Sequence, residues 1–449
     1  MSRILMLAAS MLAPSVLAIA GVAQAAEALS PSPNGAPQDW KVRSTLTGDW
    51  GGLRSRLKAK GVTLAAGYAS ESAMTMSGGR EGGGVGGYTQ ELNARAVLDM
   101  GKLAGIEGGV VNFAVEERTG RNLSAEGIGN LFMVQELYGA GMDFRISELT
   151  WAQAVAGDRF NLKAGLMHTG DDFASSALNC NFQNFAFCPR SPALLFNSGF
   201  SGYPAPRWGL RARLRPAKDW TFIAGIYEVD AYRVLENKGW NLAIDSNGVL
   251  VPVEIGWTKP DKGDAKGLGG LPGFYHVGGY YETAERSNVY SDAVGRSYVL
   301  NGTRPVLEDS RWGAWAMGEQ MVWRKGGASL SVFANALMFD RSTARYSRFY
   351  SAGLVRTAPF SARPKDKLGV AVAYARVNPR LEAAQREQAG LTGNSSGVQT
   401  SESSLEAFYA AQATGWLVVR PNIQFIRRPG ATGTIPDAWV SGLTLRAAF

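Results

Sequence analysis

The chain has 449 residues with a mean hydropathy of −0.10, and it carries 46 Lys+Arg against 38 Asp+Glu. Beyond the N-terminus no apolar run reaches the roughly 20 residues that a spanning helix needs, so a helical membrane protein is excluded. What remains is a secreted soluble protein or a β-barrel, the membrane structure whose strands alternate apolar outside with polar inside. The excess of 8 positive charges would hint at nucleic acid or anionic lipid in a soluble protein. In a secreted chain it better suits the lining of an aqueous passage, and no nucleic-acid partner is expected.

In chain order, Arg3 precedes an apolar stretch from Ile4 to Ala13, and small residues close it at Ala23-Gln24-Ala25. This is the pattern of a secretory signal peptide over residues 1–25. Residues 26–45, with the Pro/Ser-rich stretch from Ser30 to Pro37, are expected to form a flexible segment. Residues 46–61 predict a short amphipathic helix with Asp49 as N-cap, Leu53 and Leu57 on one face, and Gly61 as its stop. From 62 to 449 turn signals recur without a linker, which predicts one closed sheet rather than several cores.

Period-two alternation then sets the strands. Glu91, Asn93 and Arg95 oppose Leu92, Ala94, Ala96 and Leu98; Asn112, Ala114 and Glu116 oppose Val111, Phe113 and Val115. From 207 to 215, Arg207, Arg211, Arg213 and Arg215 fall on one parity, and Trp208, Leu210, Ala212 and Leu214 on the other. An arginine at mid-bilayer costs roughly 2–4 kcal/mol, so the apolar parity meets lipid and the arginines point inward. Near the end, Trp416, Val418, Arg420, Asn422 and Gln424 alternate with Leu417, Val419, Ile423 and Phe425. The last segment places Trp439, Ser441, Leu443, Leu445, Ala447 and Phe449 opposite Thr444 and Arg446, as a closing barrel strand would. Further strands are expected near 62–70, 145–153, 160–167, 220–228, 275–283, 311–324, 328–339, 367–377 and 404–413. A count of about 16 leaves roughly 26 residues per strand and connection; 14 or 18 would fit nearly as well.

Short turns are signalled at 215–219, 324–327 and 363–367, whereas 170–206, 229–272, 284–310 and 378–403 read as long loops. Such inequality places long loops outside and short turns on the periplasmic side. Cys180 and Cys188 fall within one of the long loops, where an oxidising compartment allows a local disulfide; two unpaired or separately buried thiols are the alternative. With only His168 and His276 available, no metal site or cofactor is expected. Gly82-x-Gly84-x-x-Gly87 spells a dinucleotide fingerprint and Gly393-Asn394-Ser395-Ser396-Gly397 a nucleophile elbow, yet both fall in polar or glycine-rich loops without the strand–turn–helix context either needs.

The stretch from Leu46 to Val62 carries Thr47-Gly48-Asp49-Trp50-Gly51-Gly52, which resembles the start of the carbohydrate-selective porin (OprB) family. The resemblance continues through Asp172-Phe173-Ala174, Cys180 to Asn184, Tyr203-Pro204 with Arg207-Trp208-Gly209, Gly225 to Val229, Gly278 to Tyr281, and Trp416 to Gln424 before Pro429-Gly430. It implies an all-β transmembrane antiparallel barrel of about 16 strands over 62–449. It also implies a narrow eyelet of charged and polar side chains that passes glucose and related sugars by diffusion in the outer membrane.

Arginine supplies five donors and carboxylate strong acceptors for sugar hydroxyls. Arg95 facing Glu116, together with the arginine row, is therefore the expected eyelet. Glu91, Asn93, Asn112, Tyr280, Glu282, Trp416, Arg420, Asn422 and Gln424 are inward by parity and complete the expected surface. The competing readings are an anion or general-diffusion porin, favoured if the arginines lack carboxylate partners; a barrel enzyme such as a lipase, which needs a Ser/His pair; and a soluble glycan-binding β-protein. No oligomer interface is legible in the alternation, so a homo-oligomer stays open.

Overall fold

The computed structural model describes residues 39–449 apart from 140, 189, 231–237 and 264–267. The signal-peptide reading of 1–25 and most of the 26–45 segment fall outside these residues. Inward and outward side chains alternate along sixteen antiparallel strands, which close in chain order until the last pairs with the first. The first half comprises β1 (Val62–Ser77), β2 (Gly86–Asp99), β3 (Gly109–Gly120), β4 (Phe144–Val155), β5 (Phe160–Met167), β6 (Arg207–Ala217), β7 (Trp220–Glu228) and β8 (Val249–Lys259). The second half comprises β9 (Gly273–Glu282), β10 (Arg311–Lys325), β11 (Ala328–Phe339), β12 (Tyr346–Thr357), β13 (Lys367–Val377), β14 (Ser401–Gln412), β15 (Leu417–Arg427) and β16 (Ala438–Ala448). The seam runs from Gly67 opposite Ala448 to Ser77 opposite Trp439.

Lipid-facing and inward positions separate by parity. In β6, Leu210 and Leu214 are exposed while Arg211 and Arg213 are buried; in β16, Trp439 and Leu443 are exposed while Val440 and Thr444 are buried. Aromatic clusters mark the two membrane boundaries, where rings with one apolar and one wet end are favoured. Trp220, Trp257 and Tyr275 stack near the short-turn rim, and Phe425 packs on Trp439 near the opposite rim.

The N-terminal helix is shorter than the 46–61 expectation: a 3-10 turn, Trp50–Gly52, leads into an α-helix, Leu53–Ala59. The residue preceding the α-helix is Gly52, and Asp49 acts from further back, its carboxylate accepting the Ser55 N–H at 2.9 Å. Gly61 adopts φ +98°, and a Cβ there would stand 3.0 Å from the Asp99 carbonyl oxygen, so the stop depends on glycine. Arg54 ties the helix to the chain end by donating to the Phe449 carbonyl at 2.7 Å. Residues just before the helix reach the same rim, where the Gly415 N–H donates to the Lys41 carbonyl at 2.7 Å.

Two strands are missing from the sequence reading. β8 lies inside the segment taken as a loop from 229 to 272, and β12 was not anticipated. The expected loops at 284–310 and 378–403 also contain structure: a two-residue pairing of Arg286–Ser287 with Leu307–Glu308, and a helix, Pro379–Thr392. Connections do alternate in length. Turns such as 218–219 and 326–327 close one rim, while 121–143, 168–206, 283–310 and 378–400 extend from the other.

Candidate functional site

The longest of these connections, 168–206, does not stay outside. Its apolar residues Phe173, Phe182, Phe187, Leu194 and Phe200 form a dry cluster with inward residues of β9 to β14, including Tyr280, Trp315, Phe333, Phe349, Ala373 and Phe408. Phe182 meets the Phe187 and Phe408 rings at centroid distances of 5.0 Å each. Cys180 and Cys188 are bridged, with Cα atoms 4.5 Å apart, which closes the turn that presents Phe182.

A segment crossing a barrel carries backbone N–H groups out of reach of any ladder, and each left unpaired costs about 1–3 kcal/mol. Inward carboxylates satisfy them. Glu406 accepts the N–H groups of Gln183 and Asn184 at 2.8 and 2.7 Å. Glu254 accepts that of Ala174 at 2.9 Å, Glu319 that of Leu178 at 3.1 Å, and Glu282 that of Gly199 at 2.7 Å. The preceding loop is held the same way, with Leu131 donating to Glu402 at 2.8 Å and Leu137 to Glu71 at 3.1 Å.

The opposite wall, β2 to β6, is charged. Register places Arg95 opposite Ala114, and Ala114 opposite Glu148, so the small alanine lets Arg95 reach over it to Glu148 at 2.6 Å. Two rows away, Glu91 is directly opposite Arg118 and receives it at 2.6 Å; Arg118 also stands 3.4 Å from Glu116. Tyr203, from the end of the infolded loop, covers this triplet with its ring 5.3 Å from the Arg118 guanidinium. Its phenol is pushed well above its usual pKa by burial and by the charges of Glu91 and Glu116, so it is a neutral donor. Solvent reaches the wall unevenly. The Arg95 side chain keeps 23% exposure against 5% for Arg118, and Arg446, on β16 beyond the seam, keeps 28%.

The expected residues therefore divide into three groups. Glu91, Asn93, Arg95, Asn112 and Glu116 gather on the charged wall, but Arg95 does not face Glu116: the β2/β3 register sets Glu116 opposite Asn93. Arg207, Arg211 and Arg213 lie inward on β6, each with an acceptor. Arg211 pairs with Asp172 at 3.0 Å, Arg213 with Asp158 at 2.7 Å, and Arg207 donates to the Pro206 carbonyl. The third group serves the loop. Arg420 donates to the Asn181 carbonyl at 2.7 Å, Asn422 to Gln183 at 2.7 Å, and Gln424 accepts from Asn184 at 2.8 Å. Tyr280 sits in the dry cluster, and Glu282 is fully buried against Arg311. Trp416 lies in the turn before β15, its indole donating to the Trp40 carbonyl at 2.8 Å, away from the charged wall.

Arg118, Glu148, Tyr203 and the pair Arg446–Glu136, at 2.8 Å, were not among the expected site residues. Parity would have found two of them, since Arg118 follows Glu116 on the same face and Arg446 lies on the inward parity of β16. Asp171, in the loop, hydrogen-bonds His168 at 2.9 Å and pairs with Arg190 at 3.4 Å. Burial alone would raise its pKa, but the neighbouring His168 and Arg190 outweigh that and hold the carboxyl well below the usual carboxylate range.

A closed sixteen-stranded barrel with lipid-facing apolar residues, a loop folded into its lumen and a charge-paired wall beside it has the architecture of an outer-membrane porin, a channel. The family model for the carbohydrate-selective porin, OprB family matches residues 86–449, and the chain belongs to that family. It is 32% identical to Porin B of Pseudomonas aeruginosa over 96% of this chain and 95% of that protein. It is 29% identical to the putative porin QuiX of Acinetobacter baylyi over 91% of this chain and 93% of that protein. Among solved structures, the high-pH structure of Pseudomonas putida OprB superposes with a TM-score of 0.87 at 30% identity, covering 92% of this chain and all of that one.

Proposed function

We propose that sugars diffuse through the gap between the infolded loop and the β2–β6 wall, contacting Arg95, Glu148, Asn112, Asn93 and Arg446 on the way. The observation that carries this reading is charge matching. Arg95, Arg118, Arg211 and Arg213 each have a carboxylate within 3.0 Å. Donors and acceptors thus lie side by side, as a polyhydroxylated neutral solute requires; Asp172 also serves Lys163 and Asp158 also serves Arg215, so the carboxylates reduce the positive field that would draw anions. Residues 1–25 direct export, and the solutes are glucose and related sugars.

The test is reconstitution of the mature protein in planar bilayers, with ion current followed as glucose is added, and liposome swelling in sugars and in non-sugars of similar size. Saturable block by glucose and faster swelling in sugars support the reading. Strong anion selectivity with block by phosphate and none by glucose overturns it.

A further inference from the structure

On the outer face of the second half of the barrel, β12 and β13 pair with Arg348 directly opposite Arg376. Like charges opposed in a sheet are destabilising unless something sits between or beside them. Arg376 donates to Glu382 and to the Thr400 carbonyl, each at 2.6 Å, and the Glu382 carboxylate is shared with Arg386. Arg348 is exposed, and its side chain makes no ion pair or hydrogen bond among the described residues.

One residue pair further toward the membrane on the same face stand Tyr350 and Tyr374, opposed and both exposed, in the manner of rings at headgroup level. Beyond them the outer wall is hollowed. Ala316, Ala334, Ala336 and Ala352 replace bulky side chains between Val277 and Val372, leaving an apolar groove of about 980 Å³ that reaches Trp220 and Trp257 at the far boundary.

We infer that this face is a binding site for a phosphorylated, multi-chain lipid of the outer leaflet, with its phosphate between Arg348 and Arg376 and an acyl chain in the alanine-floored groove. The two features point to one occupant. Arg348 lacks a counter-charge at headgroup level beside an already paired Arg376, and the groove offers room for an apolar chain directly beneath it. A second copy of the barrel presenting this same face would add two more arginines where a negative charge is needed.

The experiment is native mass spectrometry of the refolded mature protein in detergent. It is titrated with bis-phosphorylated lipid A, with the same lipid stripped of phosphate, and with inorganic phosphate as competitor. Retention of the phosphorylated lipid at several-fold lower concentration than the stripped one is expected. Arg348→Ala should weaken it about fivefold, the worth of one basic residue at a membrane surface, and Arg348→Glu should weaken it further. Ala334→Trp, which fills the groove with both arginines intact, should weaken both lipids alike. Arg348 has no partner to lose, and heat-modifiable gel mobility verifies that each variant is folded.

Equal retention of both lipids, or no effect of the Arg348 variants, overturns the proposal. Full displacement by inorganic phosphate at millimolar concentration overturns it in favour of a free-anion site. A stable oligomer that Ala334→Trp dissociates, with lipid retention unchanged, overturns it in favour of a second copy in the groove. Sugar block is read in parallel and is expected to stay unchanged in every variant, so this outcome is independent of the transport reading.

Discussion

The two halves of the barrel's inner surface solve different problems. From β9 to β14 the inner face is largely apolar and dry, and its few carboxylates hold backbone N–H groups of the connections folded against it, chiefly the loop 168–206. From β2 to β6 it is polar, and its carboxylates hold arginines. The same residue type, an inward glutamate, is thus structural on one wall and part of an electrically balanced surface on the other. What differs is the partner that register and loop bring to it: a bare backbone N–H of the loop on one wall, a guanidinium on the neighbouring strand on the other. A barrel of this width needs a filled half to make the other half narrow, so selectivity on the charged wall depends on packing across the lumen from it.

The strongest way to break that dependence is Phe182→Ala. Phe182 is fully buried among Phe187, Phe333 and Phe408, and losing such a ring costs about 3–5 kcal/mol. The loop should loosen from its wall, so single-channel conductance should rise and glucose block should weaken, although no residue of the charged wall has changed. The lipid-facing Leu210→Ala should leave both readings near wild type. Unaltered conductance in Phe182→Ala would show that the dry half does not set the width of the wet one.

Next in size is Arg118→Ala, which strands Glu91 and Glu116 together in a buried place. Removing one partner of a buried ion pair costs about 3 kcal/mol or more. The channel should also become more cation-selective, read as a shift of reversal potential in a salt gradient. Arg118→Lys keeps the charge and should restore selectivity more fully than stability. A reversal potential that does not move in Arg118→Ala would place the triplet outside the field felt by permeating ions.

The same division explains what the sequence made legible. Alternation identified the strands of the charged wall, because there one parity meets lipid and the other meets water. It failed at β8 and β12. In β8 the inward residues Leu250 and Pro252 are as apolar as the outward Val251 and Val253. In β12 inward Phe349 and Val355 face the loop while Arg348 points outward, so the expected polarity is reversed at one end. The N-terminal helix and the closing strand were legible because their signals are local. Which inward residues meet the passage was not, since that depends on where a 39-residue connection, 168–206, folds back. The Arg95–Glu116 expectation failed by one step of register, which parity alone does not fix.

Glu406→Gln sharpens the structural role of the dry wall's carboxylates. The amide retains one acceptor oxygen for the two N–H groups of Gln183 and Asn184, so a loss of about 1–3 kcal/mol is expected, with conductance moving in the direction seen for Phe182→Ala but less far. Arg95→Ala probes the other wall. Its side chain is partly solvated, so stability should fall by no more than about 1 kcal/mol, yet the glucose concentration for half-block should rise several-fold. Equal effects of these two substitutions on sugar block would erase the distinction between the walls.

The smallest effect concerns acid. Asp171 links the infolded loop internally through His168 and Arg190, and its folded pKa is depressed. A depressed carboxyl contributes its stabilisation in full above the unfolded value of about 3.9 and loses it only as pH falls from there through the lower folded value. The Asp171 contribution to glucose block is therefore constant from pH 7 down to about pH 4 and declines in stronger acid. Asp171→Asn should lower sugar block by a constant factor across that range and flatten the decline below it. A wild-type loss of block centred near pH 5 that Asp171→Asn abolishes would mean the loop carboxyl is not held down by its neighbours, and the link between the filled half and the open one would then be acid-labile under ordinary conditions.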